Sequence, residues 1–202
     1  MTTHSRSIAV RQGQDPMTAA TSKAQVSETE LGLLNFYRAS ELHGGLVLAQ
    51  IARRVRDGEL ALKLLRHSAE EIEHARLWTE AIVAVGGRVE PVRRTYQTMY
   101  AEALGCQIGL LDVLALTQIF ERRVYRHFLE HLHRPGTHPV IAATLRRMIE
   151  EEKGHLSWVK AWLEDQAVRR GAVVRERMMR YAAVDRRIYD AVIVQLGWRS
   201  VA

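Results

Sequence analysis

Apolar positions along this chain recur at helical rather than strand spacing, and breaks between the apolar stretches divide it into five segments. Residues 1–26, rich in Thr, Ser, Gln and Ala, carry no helical stripe and read as a disordered leader. Ser27 followed by Glu30 is a capping-box pattern, which marks the start of a helix. The stretch it opens runs over about 31–55 and ends at Asp57-Gly58. A second helix is expected over about 59–85, stopped by Gly86-Gly87. Residues 86–95, with Pro91, connect to the second half. There a third helix is expected to run unbroken over 96–132, to Arg134-Pro135-Gly136. A fourth follows over about 139–170 as far as Gly171, and a fifth, arginine-rich one covers roughly 172–196. The pattern predicts an all-α fold: a four-helix unit over 27–170 and a basic C-terminal helix within 171–202.

The length of 202 residues suits one domain with a sizeable core, and 47% hydrophobic with 26% charged residues is ordinary for a globular chain. Composition changes the picture at two points. Cys106 is the single cysteine, which excludes a disulfide framework and a Cys-x-x-Cys iron centre and suits a reducing compartment. The net charge of +6 is concentrated, since eight arginines from Arg169 onward stand against three acids, giving +5 in the tail. A basic patch can steer an anionic partner such as a nucleic acid or an acidic electron donor. A solvated helix face is the simpler account of it. No apolar run is long enough to span a bilayer and the N-terminus lacks the apolar core of a secretory signal, so the expected location is cytoplasmic.

The candidate chemistry lies in a two-fold internal repeat. Glu71-x-x-His74 and Glu152-x-x-His155 are 81 residues apart. Each follows a glutamate on an apolar helix, Glu41 by 30 residues and Glu121 by 31. Residues three apart share a helix face, so each motif presents an oxygen and a nitrogen to one point. Four carboxylates and two imidazoles are the set with which a four-helix bundle holds two metal ions. Depth agrees with this: Glu41 lies about 16 residues before the first turn and Glu71 about 13 after it, roughly 24 and 20 Å at helical rise. Glu121 and Glu152 lie about 14 and 16 residues from the Pro135-Gly136 turn. Both hairpins therefore deliver their ligands to mid-bundle. Glu70, Glu73, Glu150 and Glu151 flank the motifs and read mainly as solvated, with the option that one accepts a hydrogen bond from a ligating imidazole. His43, His67, His127, His131, His133 and His138 have no carboxylate at motif spacing and stay unassigned.

Over roughly residues 28–170 this pattern resembles the ferritin-like superfamily of carboxylate-bridged di-iron proteins, whose four-helix bundle is followed here by an additional C-terminal helix. The resemblance implies two iron ions bridged by Glu71 and Glu152, with Glu41 and Glu121 terminal and His74 and His155 on one iron each. Manganese or a mixed Mn/Fe pair stays open on ligand chemistry. A second full Glu-x-x-His argues against a storage ferritin. Rubrerythrin-type peroxidases typically carry a further glutamate where this chain has Gln118, and usually a rubredoxin module that one cysteine cannot build. The branch implied is the oxygenases and oxidases, in which O2 activated at the irons oxidises or hydroxylates an organic substrate. Electrons then come from an external donor such as a ferredoxin and its reductase. The alternatives are a ferroxidase or peroxide-scavenging rubrerythrin-like protein, and a tRNA-modifying hydroxylase whose basic tail binds nucleic acid. A homodimer is compatible with the oxygenase reading, a metal-handling role would instead suit a large oligomer, and no membrane is implied.

Residues around the ligands carry weaker signals. Gly44 and Gly45 follow Glu41 by three and four residues on its own face. Glycine inside a helix costs up to about 1 kcal/mol relative to alanine, so the pair marks either space beside the metals or close helix packing. Thr117, one turn before Glu121, is placed to hydrogen-bond a group at the irons or to pack in the core. Tyr37 and Tyr125, four residues from Glu41 and Glu121, read as hydrogen-bond support for those carboxylates or as redox relays. Trp78, Trp158 and Trp162 follow the ligand histidines at helical spacing and read as core rather than electron conduits.

Overall fold

Each helix begins where a short polar side chain or a proline suits the free amides of its first turn. In the computed structural model, which describes residues 26–105 and 109–198, the Ser27 hydroxyl accepts from the Glu30 amide at 3.2 Å and opens α1 (Glu28–Ala52). Asp57 accepts from the amides of Glu59 and Leu60 at 2.9 and 3.1 Å and opens α2 (Gly58–Ala84). The Thr95 hydroxyl caps α3 (Tyr96–Leu104). At α4 (Leu110–Leu132) the Gly109 amide donates to Asp112 Oδ2 at 3.0 Å, and Pro139 stands in the first turn of α5 (Pro139–Gln195). These five helices, with no strand among the described residues, make the chain all-α. Of the leader expected over 1–26, all but Val26 lies outside the described residues, as does Cys106.

One boundary differs from the sequence reading and one agrees with it. The helix expected over 96–132 is two helices, because Gly105 takes φ +83°, which ends a right-handed helix and which glycine adopts without strain. Leu104 and Leu111 are seven residues apart, so helical spacing carries across the break and hides it. The helices expected on either side of Gly171 are both present and meet end to end within α5 at a kink, where Arg170 leaves helical geometry at φ −145° and ψ 46°.

α1 packs on α2 and α4 on α5, forming two helical hairpins that meet along α2 and α5, while α3 lies against α5 and α1. Leu34, Leu64, Trp78, Phe128, Leu145 and Val159 are buried completely within this contact. Each such aliphatic side chain contributes roughly 1.5–3 kcal/mol of transfer free energy. Beyond the bend, Val174, Tyr181, Val184, Ile188 and Val192 recur at helical spacing and are buried, so the last part of α5 packs as an amphipathic helix. Buried Asp185 ties it down, accepting from Arg123 Nε at 2.9 and 3.0 Å and from the Tyr100 hydroxyl. Arg177 reaches Asp112 at 3.0 Å, while Arg175, Arg180, Arg186 and Arg187 lie on the exposed face. No described helix is long and apolar enough to cross a membrane.

Candidate metal centre

The two hairpins bring the six repeat residues into one cluster. Glu41 comes from α1, Glu71 and His74 from α2, Glu121 from α4, and Glu152 and His155 from α5; none is more than 3% exposed. Carboxylates are almost never buried this far without partners. His155 Nδ1 lies 3.1 Å from Glu71 Oε1 and 3.2 Å from Glu152 Oε2, and His74 Nδ1 lies 3.5 Å from Glu152 Oε1. Glu41 is hydrogen-bonded with Glu71, and Glu121 with Glu152. The donor atoms fall into two groups, Glu41, Glu71, His74 and Glu152 in one and His67, Glu71, Glu121 and His155 in the other. Within each group all of them lie within 4.8 Å of one another. Glu71 belongs to both, and the two oxygens of Glu152 approach one histidine from each.

His67 was not among the expected ligands. It is 1% exposed, its Nε2 lies 3.0 Å from Glu71 Oε1 and 3.3 Å from Glu121 Oε1, and its ring stacks on His155 at 3.7 Å. Its signal in the sequence is spacing, since four residues before Glu71 is the same helix face.

The histidines of the repeat are backed from outside. His74 Nε2 donates to Glu151 Oε2 at 2.9 Å, and Glu151 also accepts from Arg147 at 2.9 Å. His155 Nε2 donates to Glu70 Oε2 at 2.9 Å. Partners are exchanged between hairpins, so that the α2 histidine is held by α5 and the α5 histidine by α2. Glu70 and Glu151 each stand immediately before a repeat glutamate. Their neighbours stay outside, Glu73 with Arg76 and Arg147 and Glu150 with Lys153.

Electrostatics sort the buried acids into two kinds. Burial, reinforced by the charge on Glu71, pushes Glu41 well above the usual carboxyl range, and burial with Glu121 nearby does the same to Glu152. Burial also pushes Glu71 up, but hydrogen bonds from His155 and His67 outweigh it and hold this carboxyl well below the usual range. Glu121 is lowered too, burial being outweighed by hydrogen bonds from Glu152 and His67. Burial works against a charged His155, yet its bonds to Glu152 and Glu71 push it up to about 12. His67 is raised, its bonds to Glu121 and Glu71 prevailing over burial. Hydrogen bonds from the imidazoles thus overcome burial at Glu71 and Glu121, whereas burial prevails at Glu41 and Glu152. His74 Nδ1 and Glu152 Oε1 face each other with no hydrogen-bond partner. A cation between them would satisfy both, and this mixture of carboxylate and imidazole donors suits iron or manganese.

The surrounding residues divide by side. A Cβ on Gly45 would meet Ser68 O at 2.8 Å and Ile72 Cγ1 at 2.9 Å, so this glycine permits the close crossing of α1 and α2. A Cβ on Gly44 would instead meet the Gln97 amide at 3.2 Å and Glu71 Oε2 at 3.5 Å. Gly44 and Thr117 line a cavity of about 470 Å³ among α1, α3 and α4 that reaches Glu71 and Glu121. Gln118 and Tyr125 line another, of about 680 Å³, between α4 and α5, which touches none of the seven donor residues. Tyr37 hydrogen-bonds His131 Nδ1 at 3.4 Å rather than Glu41, and packs on Trp78 with ring centres 5.0 Å apart. Trp78 is core, Trp158 meets His67 edge-on at 5.7 Å, and Trp162 is half-buried. Elsewhere His43 pairs with Thr95 and His127 with the Tyr189 hydroxyl, each at 2.7 Å. No family model, curated protein or solved structure matches this chain.

Proposed function

We propose that the chain is a non-haem di-iron oxidoreductase that uses O2 to oxidise or hydroxylate an organic substrate, on a ferritin-like four-helix bundle with an added C-terminal helix. One observation carries this reading. Two groups of four buried donors share Glu71, while His74 and His155 are each backed by a carboxylate from the opposite hairpin. An imidazole backed on one nitrogen and free on the other is how proteins orient a metal-ligating histidine. In this reading His67, Glu71, Glu121 and His155 hold one ion and Glu41, Glu71, His74 and Glu152 the other. Manganese or a mixed Mn/Fe pair is the alternative that the donors allow.

Bound Fe(II) supplies the electrons and open coordination positions that O2 reduction requires. The remaining work belongs to the chain. Glu70 and Glu151 fix the imidazole rings, burial of the donors keeps bulk water away, and the cavity at Gly44 and Thr117 admits the substrate. Electrons for turnover come from a separate donor such as a ferredoxin and its reductase, because the sequence carries no flavin or nicotinamide motif.

Anaerobic titration with Fe(II) tests the centre: about two ions per chain are expected, with almost none retained by a Glu71→Ala plus Glu152→Ala variant. Wild-type protein that binds no iron sinks the reading. Fast consumption of Fe(II) with O2 or peroxide alone, and no dependence on any organic compound, would replace it with a metal-handling role.

A further inference from the structure

The cavity that reaches the donor cluster changes character along its length. Glu71 and Glu121 line its inner end together with Thr117 and with Gln97, whose amide lies with Glu71 Oε2 across Gly44. Val47, Leu48, Ile51, Val113, Leu116 and Phe120 make the middle apolar. Also lining it is Arg54, near the C-terminal end of α1 and exposed, whose guanidinium makes no hydrogen bond or ion pair with any described residue. Arg54 lies ten residues beyond Gly44, roughly 15 Å further along α1 and its last turn at helical rise. The volume of about 470 Å³ is that of a small-molecule site.

We infer that this cavity binds a medium-chain organic carboxylate, with its head group at Arg54, its chain along the apolar wall of α1 and α4, and its far end beside Glu71 and Glu121. Charge sets the direction. At the inner end the carboxylates of Glu71 and Glu121 already face the imidazoles of His67 and His155, so no free cation is offered to a ligand carboxylate there, whereas the outer end offers an unpaired guanidinium. The apolar middle selects a hydrocarbon chain and leaves the phosphates of a nucleotide or RNA without partners. Gly44 keeps the inner end open, since a larger side chain there would occupy the space between Gln97 and Glu71. Gln97 Oε1 is buried and accepts no hydrogen bond, which leaves it ready for a hydroxyl at the chain's far end. An exposed ion pair contributes little by itself, so the chain supplies most of the affinity and Arg54 supplies the orientation.

That such a molecule is the compound oxidised rests on the di-iron reading; its binding does not, and the two are tested apart. Binding of decanoate and of decan-1-ol to full-length protein is measured by calorimetry, with and without Fe(II). Decanoate is expected to bind both forms. Arg54→Gln should weaken decanoate about fivefold and leave decan-1-ol unchanged. Val47→Phe, placed in the apolar middle away from the donors, should weaken both ligands while Fe(II) stoichiometry and the melting temperature hold. Absence of decanoate binding, or affinity that neither substitution alters, overturns the inference. Loss of iron binding alone overturns the di-iron reading and leaves this one standing.

Discussion

The α1/α2 and α4/α5 hairpins carry the same order of donors, a glutamate and then Glu-x-x-His, and differ one turn away from it. Three residues after Glu41 comes Gly44, whereas three after Glu121 comes Val124, buried at 7% exposure. Four residues before Glu71 comes His67, whereas four before Glu152 comes Met148, fully buried. The first hairpin therefore keeps a space and a third imidazole where the second has apolar packing. Holding two cations calls for symmetric donors, but admitting a substrate calls for unlike walls. The six repeat donors are symmetric, while His67 gives one group a second imidazole and Gly44 leaves one side open.

The largest expected effect concerns what the halves share. Glu71→Ala removes the carboxylate common to both donor groups, and iron content by metal analysis should fall from about two per chain to near zero. Glu41→Ala touches one group and should cost about one ion. Equal losses would mean that the two groups do not act as separate positions. Next comes His67→Met, which makes the first hairpin copy the second. One of two Fe(II) binding steps should weaken by about 10–100-fold in calorimetry, while the other holds.

Glu70→Gln and Glu151→Gln test the exchange of partners between hairpins. Each should weaken Fe(II) binding about tenfold, and by similar amounts because the arrangement is mirrored. Gly45→Ala should destabilise the fold by about 1–3 kcal/mol in denaturant melts, since the new methyl meets backbone at Ser68. Gly44→Ala should cost less, because the Gln97 amide it meets can move.

At neutral pH the smallest effect comes from His127 on the second hairpin, which burial lowers to about 3 against roughly 6.5 in an unfolded chain. Between those values the unfolded state binds a proton that the folded state refuses. The contribution is complete above 6.5 and is lost as pH falls towards 3. Relative to wild type, His127→Phe should flatten the pH dependence of stability in that window by at most about 1.4 kcal/mol per pH unit.

Much of the fold was legible because its punctuation is local. Ser27 with Glu30 declares a helix start, Asp57-Gly58 and Gly86-Gly87 mark stops, and Pro139 marks a start, whereas the caps at Asp57 and Thr95 emerge only in the structure. Gly105 was hidden because Leu104 and Leu111 preserve the helical period across it, and period outweighs one glycine in a sequence reading. The repeat glutamates and histidines could be picked out because helical spacing is itself a spatial statement. The roles of Glu70 and Glu151 could not, because each depends on how α2 and α5 face each other, and no residue near them in sequence records that. His67 shares the face of Glu71, but its partner Glu121 lies on another hairpin. Gly44 and Gly45 look alike in sequence, and only their different neighbours, a side-chain amide and a carbonyl, separate space from contact.

The bonds from His74 to Glu151 and from His155 to Glu70 join the hairpins without any ion. In the di-iron reading folding can therefore finish before loading, and an incoming metal competes with protons at Glu41, Glu152, His67 and His155, whose surroundings all favour the protonated form. Loading in that reading displaces protons and releases acid to the solvent. Acidification should strip the metal well before it unfolds the chain, and the emptied protein should recharge on neutralisation without refolding.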